Sequence, residues 1–363
     1  MHLISKNDFA VYLYCMKQFL FWLKRFFQVI FILALLVGIY HYKLLNYAFS
    51  QAKGQLKIVW NAEDCEEVLQ SDDFPDSLKP KLALVKEIKK FAETSLGIRK
   101  SDNYTTLYNQ HGKTLMWMLM ASEPYEMKAK QWHFPLLGDF SYKGYFDKKK
   151  ARLEQYELEQ AGFDTELGRA SGWSTLGWFK DPVLSSMLYQ SKGELSELII
   201  HELTHGTLYV KNDVNFNENL ASFIGEQGAI AFLKFKFGEK SEALINYQSA
   251  LLDERIFEKF LFGCTRQLSE LYSSMKNESD AVKQEKKKAL IHQFVVEAYK
   301  LPISSKKKYM KRMRGAITSG NAFFMGYQRY DAQKDSLAMV LSTQYKGDIK
   351  SYLINLKSRF QSL

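Results

Sequence analysis

The chain has 363 residues, of which 46% are hydrophobic and 15% aromatic, and a formal net charge of +10. That composition is ample for a sizeable core, and the charge permits attraction to anionic lipid, nucleic acid or acidic substrates without choosing among them. Its three cysteines, Cys15, Cys65 and Cys264, exclude a disulfide framework or a cysteine-based metal site; only a Cys65–Cys264 pair in an exported protein stays open.

The first element is an apolar run. Across residues 26–40 the only polar side chain is Gln28. Extending the run back through Lys24 and Arg25, whose stems snorkel, gives residues 19–40, about the 20 that a spanning helix needs. Ile39, Tyr40, His41 and Tyr42 stand where a cleavable leader has small residues, so an uncleaved anchor is expected. Lys6, Lys17, Lys24 and Arg25 precede the run, and Lys43 and Lys53 are the nearest cations after it. This bias predicts a cytoplasmic N-terminus and a body on the outer side. The expected division is a tail and anchor over residues 1–42 and one body over 43–363.

Within the body, residues 43–77 read as mixed and turn-prone at Ser71-Asp72-Asp73-Phe74-Pro75. Leu82, Val85, Ile88 and Phe91 then mark an amphipathic helix over 80–96. Residues 104–108 and 114–121 read as a β pair, joined by a turn at Gln110-His111-Gly112. Pro124, Pro135, Gly138 and Gly144 punctuate a loop, and a helix over 148–160 stops at Gly162. An aromatic, extended segment over 172–179 ends at Asp181-Pro182. The remainder is mostly helical, broken near Pro302 and Ser319-Gly320. The expected class is α+β, a small sheet followed by a predominantly helical body. The basic stretch 306–314 reads as a solvated helix face or a patch near lipid headgroups, and with no nucleic-acid module beside it no nucleic-acid partner is expected.

The chemistry concentrates in His201-Glu202-Leu203-Thr204-His205. Leu195, Leu198, Ile199 and Leu203 recur at helical spacing and predict a partly buried helix over 194–210. On it His201 and His205 stand one turn apart, so their imidazoles can converge on one zinc ion. Glu202 lies beside them, where a carboxylate can take a proton from a water that the metal activates and return it to a leaving amine. Catalytic zinc wants a third protein ligand and an open position. Glu218 is the first choice, because Asn217-Glu218-Asn219 opens a second helix after the connector 211–216. Its flank of Ala221, Ser222, Gly225, Gly228 and Ala229 could lie close against the first helix. Asp213 and Glu226 are weaker alternatives and His111 a remote one; a solvent-facing Glu218 favoured by the helix dipole is the bland reading.

These segments together resemble a family of bacterial zinc aminopeptidases of the gluzincin type, membrane-bound or lipoprotein-like. The matching residues are Tyr47, Gln51 and Gly54-Gln55; Asn103-Tyr104-Thr105-Thr106; Trp132, Phe134-Pro135 and Gly138; Tyr142-Lys143-Gly144-Tyr145-Phe146; Ser174-Thr175-Leu176-Gly177-Trp178-Phe179; Asp181-Pro182; the HELTH helix; Asn217-Glu218; Asn321-Ala322 and Tyr330. The resemblance implies a zincin-like fold, His201, His205 and Glu218 as Zn²⁺ ligands, Glu202 as base, and a place in the bacterial inner membrane with the body on the periplasmic side. The lipobox cysteine of many relatives has no counterpart here. Ser174, Thr175, Leu176 and Gly177 are candidates for a sheet edge that pairs with an extended peptide, and Tyr330 for a donor to the oxyanion; ordinary core roles compete with both. Exopeptidases also need an acidic group for the substrate's α-amine, for which Glu154, Glu157 and Asp181 are available. The expected partners are a peptide or protein substrate and the membrane; a membrane-bound endopeptidase and a non-catalytic tethered scaffold are the alternatives.

Overall fold

The computed structural model describes residues 6–134, 138–170, 180–211, 213–326 and 334–360. The chain divides into two compact units, residues 1–56 and 57–363. In the first, α1 (Lys6–Tyr40) carries a stretch, Met16–Tyr40, long and apolar enough to cross a membrane and with none of it buried inside the protein. Phe19, Trp22, Phe26, Phe27 and Phe31 stand exposed along it. A second helix, α2 (Tyr42–Trp60), follows and runs across the boundary between the units. The sequence alone reads as mixed here, and the structure makes it helical. It contains no proline and one glycine, Gly54, so nothing in it opposes a helix strongly.

The second unit is α+β. Its strands are β1 (Glu63–Asp64), β2 (Thr106–Tyr108), β3 (Trp117–Ser122), β4 (Trp132–Phe134), β5 (Gly138–Phe140), β6 (Lys143–Tyr145), β7 (Asp164–Arg169) and β8 (Val183–Leu184). Its helices are α3 (Cys65–Gln70), α4 (Lys79–Ser95), α5 (Lys148–Gln160), α6 (Lys192–His205), α7 (Val214–Phe237), α8 (Glu242–Ser274), α9 (Asp280–Ala298), α10 (Lys306–Ser319), α11 (Asn321–Met325), α12 (Lys334–Tyr345) and α13 (Ile349–Arg359). Helices α4 and α5 fall where the sequence placed them, the second closed by Gly162 at φ 90°.

The β pair is a correction. The turn exists, with Lys113 N donating to Gln110 O at 2.9 Å. Its two strands, however, enter different sheets, β1-β2-β8 and β6-β3-β7. Gln110 shows why: its backbone N–H donates to Ser185 Oγ, and its side-chain oxygen accepts from Ser186 N, both at 2.9 Å. The end of β2 is thereby fastened to the segment after β8, with which it pairs in parallel, and β3 turns to β6 and β7 instead.

Among the described residues the two largest apolar clusters divide the body between them. One gathers Leu82, Val85 and Ile88 of α4, Leu195, Ile199, Ile200 and Leu203 of α6, Leu220, Ile224 and Phe232 of α7, and Leu353 of α13. The other joins α8 to α11 through Phe257, Leu268, Phe294, Tyr309, Met313 and Phe324. Cys65 packs on the first core and Cys264 lies within the second, and both are free thiols. Burial pushes each of them up to about 12.

A buried polar joint ties the sheet containing β7 to the helices. Lys287 pairs with Asp164 and also donates to Pro124 O at 2.9 Å. Asp164 accepts the backbone N–H of Asn321 at 2.6 Å. The Asn321 amide donates to Glu123 O at 2.9 Å and accepts from the Tyr272 hydroxyl at 2.6 Å. Gly320, at φ 53°, lets the chain pass so close that a Cβ there would collide with the Asp164 carboxylate.

Candidate metal centre

Helix α6 begins with a full capping box. Ser191 Oγ accepts from Glu194 N at 3.2 Å, and Glu194 Oε2 accepts from Ser191 N at 3.1 Å. Leu195, Ile199, Ile200 and Leu203 are buried on its core face. The helix stops at His205, five residues short of the sequence estimate. Beyond Gly206, Thr207 Oγ1 turns back to Leu203 O at 2.8 Å, and the N–H groups of Thr207 and Leu208 both bond Thr204 O at 2.9 Å.

Asn217 positions α7 against it. Its side chain accepts from Val210 N and donates to Val210 O, each at 2.8 Å, clasping the connector to the first turn of the helix. Asp213 caps that turn by accepting from Phe216 N at 3.0 Å. Along the helix the small flank meets α6 closely. A Cβ on Gly225 would lie 2.9 Å from Glu197 O and 3.1 Å from His201 Cβ, and one on Gly228 would lie 3.0 Å from Ile200. Only glycine permits this approach.

The crossing brings His201, His205 and Glu218 together. Their ligand atoms all lie within 4.8 Å of one another, and the cluster could hold a metal ion. His201 Nε2 and His205 Nε2 are 3.1 Å apart. Glu218 Oε2 is 3.6 Å from His201 Nε2, and Oε1 is 3.6 Å from His205 Nε2. His205 Nδ1, buried, has no hydrogen-bond partner, and Ser222 Oγ stands 3.4 Å from His201 Nδ1.

Electrostatics grade the three histidine and glutamate neighbours. Burial, helped by the charge of His201, lowers His205 to about 4, so at neutral pH it is the neutral imidazole that a metal requires. Burial also works to lower His201, but the Glu218 hydrogen bond and the charges of Glu202 and Glu218 outweigh it and raise this group. Glu202 is pushed up to about 6, by burial first and then by Glu218 and Asp181, with His201 opposing. A carboxyl group there stays ionised at pH 7 yet is a better base than an exposed one.

A family model described as "Putative aminopeptidase" matches residues 46–361. The chain belongs to that family. No curated protein and no solved structure matches it. The matched range of this aminopeptidase-family chain takes in every strand and helices α3 to α13.

The other sequence candidates fare differently. Glu226 is buried in an ion pair with Arg255, and Asp213 is spent as the cap of α7. His111 sits exposed in its turn at φ 49°. Glu154 accepts from Trp132 Nε1 at 2.8 Å and Lys143 Nζ at 2.7 Å, and also from Tyr145, so it braces α5 against β4 and β6. Asp181 is buried close enough to Glu202 to raise it. Ser174, Thr175, Leu176, Gly177 and Tyr330 lie outside the described residues. One carboxylate escaped the sequence reading. Glu197 precedes His201 by one turn and shares its stripe on α6; its Oε2 accepts from the Tyr247 hydroxyl at 2.9 Å, and burial raises it. The signal was the four-residue spacing 197, 201, 205, which an apolar-period search ignores.

Proposed function

We propose that this protein is a zinc-dependent peptidase that takes single residues from the N-terminus of peptides, held by its apolar helix in a bacterial inner membrane with the body outside. The observation that carries it is the meeting of two imidazoles and a carboxylate across the α6–α7 crossing, with Glu202 beside them. Bonds of about 2.0–2.1 Å in a tetrahedron place donors about 3.4 Å apart; here the imidazole nitrogens are 3.1 Å apart and each lies 3.6 Å from a different Glu218 oxygen. A His₂Glu set also suits zinc chemically. His201, His205 and Glu218 would hold the ion, which when bound supplies Lewis acidity that polarises a carbonyl and makes water nucleophilic at neutral pH. Glu202 accepts the proton of the attacking water and delivers it to the departing amine. Its neighbours keep it desolvated and hence basic enough for that exchange.

The exopeptidase reading is supported by the family and by Glu197. An α-amine nitrogen lies about 2.5 Å from the carbonyl carbon of its own residue, and a hydrogen bond adds about 2.8 Å. We assign the role of holding that amine to Glu197, about 6 Å (four residues at 1.5 Å) before His201 on the same helix, its carboxylate accepting from the Tyr247 hydroxyl.

Metal analysis of protein purified without chelator, with turnover of a peptide library bearing free and acetylated N-termini, tests this. We expect one zinc per chain, hydrolysis of free-amine peptides only, and a rise in KM for them in Glu197→Gln. Cleavage of acetylated peptides would make the protein an endopeptidase; zinc without turnover of either set would make it a scaffold. His205→Ala should lose zinc and activity together. Protease added to spheroplasts should digest the body and spare the N-terminus.

A further inference from the structure

Helix α10 carries Lys306, Lys307, Lys308, Lys311, Arg312 and Arg314 and no carboxylate. Two of these cations are held to the body: Lys308 pairs with Glu194 of α6 at 3.2 Å, and Arg312 with Glu254 of α8 at 2.8 Å. Tyr309, Met310, Met313 and Ala316 are buried on the same helix. Those contacts fix its rotation and turn Lys307, Lys311 and Arg314, spaced four and three residues apart, outward as one exposed stripe about 10 Å long. Neither these three nor Lys306 enters an ion pair among the described residues. Like charges at that spacing destabilise a helix, and an ordinary solvated face intersperses both signs. The stripe is an uncompensated repulsion that a polyanion would relieve.

Apolar side chains border the stripe where α9 ends. Arg314 Nη2 donates to the Tyr299 hydroxyl at 2.7 Å and Lys306 Nζ to Tyr299 O at 3.3 Å, which sets this ring among the cations. Tyr299 is 44% exposed; Val296, three residues before it, is 60% exposed, and Ile317, three residues past Arg314, is 43% exposed. The one carboxylate beside them on α9, Glu297, is engaged by the Gln293 amide, which donates to it at 2.7 Å. A tyrosine and two aliphatic side chains within a cationic rim suit the boundary between lipid headgroups and acyl chains. A nucleic-acid backbone would use the charges and leave Val296 and Ile317 in water. The stretch Met16–Tyr40, long and apolar enough to cross a membrane, makes lipid the polyanion such a body would always have beside it.

We propose that this face of α9 and α10 is the surface by which the body rests on a bilayer containing anionic lipid. Lys307, Lys311 and Arg314 meet lipid phosphates, while Tyr299, Val296 and Ile317 enter the headgroup layer. The contact adds a second attachment to the one that the apolar helix provides. This rests on the anchor reading above, and the two fail by different results.

The test places the full-length protein in nanodiscs of phosphatidylcholine alone, or of an equal mixture of phosphatidylcholine and phosphatidylglycerol, and follows acetylation of individual lysines by mass spectrometry. Each cation at an anionic surface adds about fivefold to binding, so Lys307 and Lys311 should react at least about fivefold more slowly on the anionic discs. Lys113 and Lys346, exposed elsewhere on the body, should react alike on both. Salt at about 1 M, where the screening length shortens to about 3 Å, should restore the rates, and Arg314→Glu should restore most of them. Equal rates at Lys307 and Lys311 on the two discs overturn the proposal. So does an equal slowing of every exposed lysine, which the surface potential alone produces. Protection of Lys307 and Lys311 by a single-stranded oligonucleotide in detergent, without protection by anionic lipid, makes the face a nucleic-acid surface and overturns it too. Protein that stays with neither disc condemns the anchor reading instead. The freed protein then decides the face: salt-reversible binding to anionic vesicles supports it, and no binding overturns it.

Discussion

Around Asp164, Lys287 and Asn321, buried polar groups are paired with one another. The ammonium meets a carboxylate and a carbonyl, the carboxylate also takes a backbone N–H, and the amide bridges a tyrosine and a loop. Around Glu202 the pattern is the reverse. Two imidazole nitrogens face each other at 3.1 Å, His205 Nδ1 and the Tyr104 hydroxyl lack partners, and Glu202 is pushed up to about 6, by burial first. Both clusters are buried, so burial is not what separates them. Satisfied groups make a joint, and unsatisfied groups hold capacity for something that arrives.

The sharpest way to break the comparison is to change one carboxylate at each place. Glu202→Gln keeps volume and removes the proton acceptor. Turnover should fall about 10²–10⁴-fold, equivalent to about 2.7–5.5 kcal/mol of barrier, while zinc content and melting temperature stay near native. Asp164→Ala should do the opposite. It leaves the Lys287 ammonium buried without its partner, which costs about 3–5 kcal/mol of stability; chemical denaturation should show that loss, with kcat per folded molecule preserved. If Asp164→Ala left stability intact while abolishing turnover, the distinction between joint and site would fail.

A smaller effect should follow at the helix crossing. Gly225→Ala places a methyl group 2.9 Å from Glu197 O and 3.1 Å from His201 Cβ, and overpacking of this kind costs about 1–3 kcal/mol. Because the strain falls on His201, one of the proposed ligands, zinc affinity should drop with stability; Gly263→Ala, inside α8 where a Cβ meets nothing within 4 Å, should leave zinc affinity unchanged and raise stability by about 0.5–1 kcal/mol. The least effect is expected at Glu166 on β7, a carboxyl raised by burial against the lowering influence of Arg312. Its folded-state value exceeds its unfolded one. Above the ordinary value of 4.5 the folded chain therefore keeps a proton that the unfolded chain releases, and stability falls as pH rises through the folded value. Glu166→Gln should flatten that decline and raise the melting temperature slightly at pH 7; an unchanged pH slope would count against an uncompensated carboxyl there.

What the sequence disclosed was set by periodic or short-range rules. The HELTH helix is legible because apolar spacing and histidine spacing coincide, and the α7 flank because five small residues, Ala221, Ser222, Gly225, Gly228 and Ala229, recur along it. Glu218 followed from those two. The pairing of β2 was not legible, since it hangs on Gln110 meeting Ser185 and Ser186, more than 70 residues away. Helix α2 does carry a helical period, Leu45, Phe49, Ala52, Leu56 and Val59 recurring three and four residues apart, so it is legible in the sequence although the region as a whole reads as mixed. The left-handed conformation of Tyr104, at φ 60°, had no local signal, because nothing in Asn103-Tyr104-Thr105 announces it; the bond from its N–H to Asp181 O at 2.7 Å is formed only in the folded chain.

The contact at Gly225 has a mechanical consequence. Helices held closest at Gly225 and Gly228 are freest to splay at the ends beyond that seam. Glu218 stands seven residues from Gly225 toward one such end, about 10 Å at 1.5 Å per residue. A tilt of about 10° would swing its carboxylate nearly 2 Å, whereas a working site tolerates about 0.5 Å. The clasp of Asn217 on Val210, at two bonds of 2.8 Å, is therefore a second bearing set at that end, one residue from the group whose travel it limits.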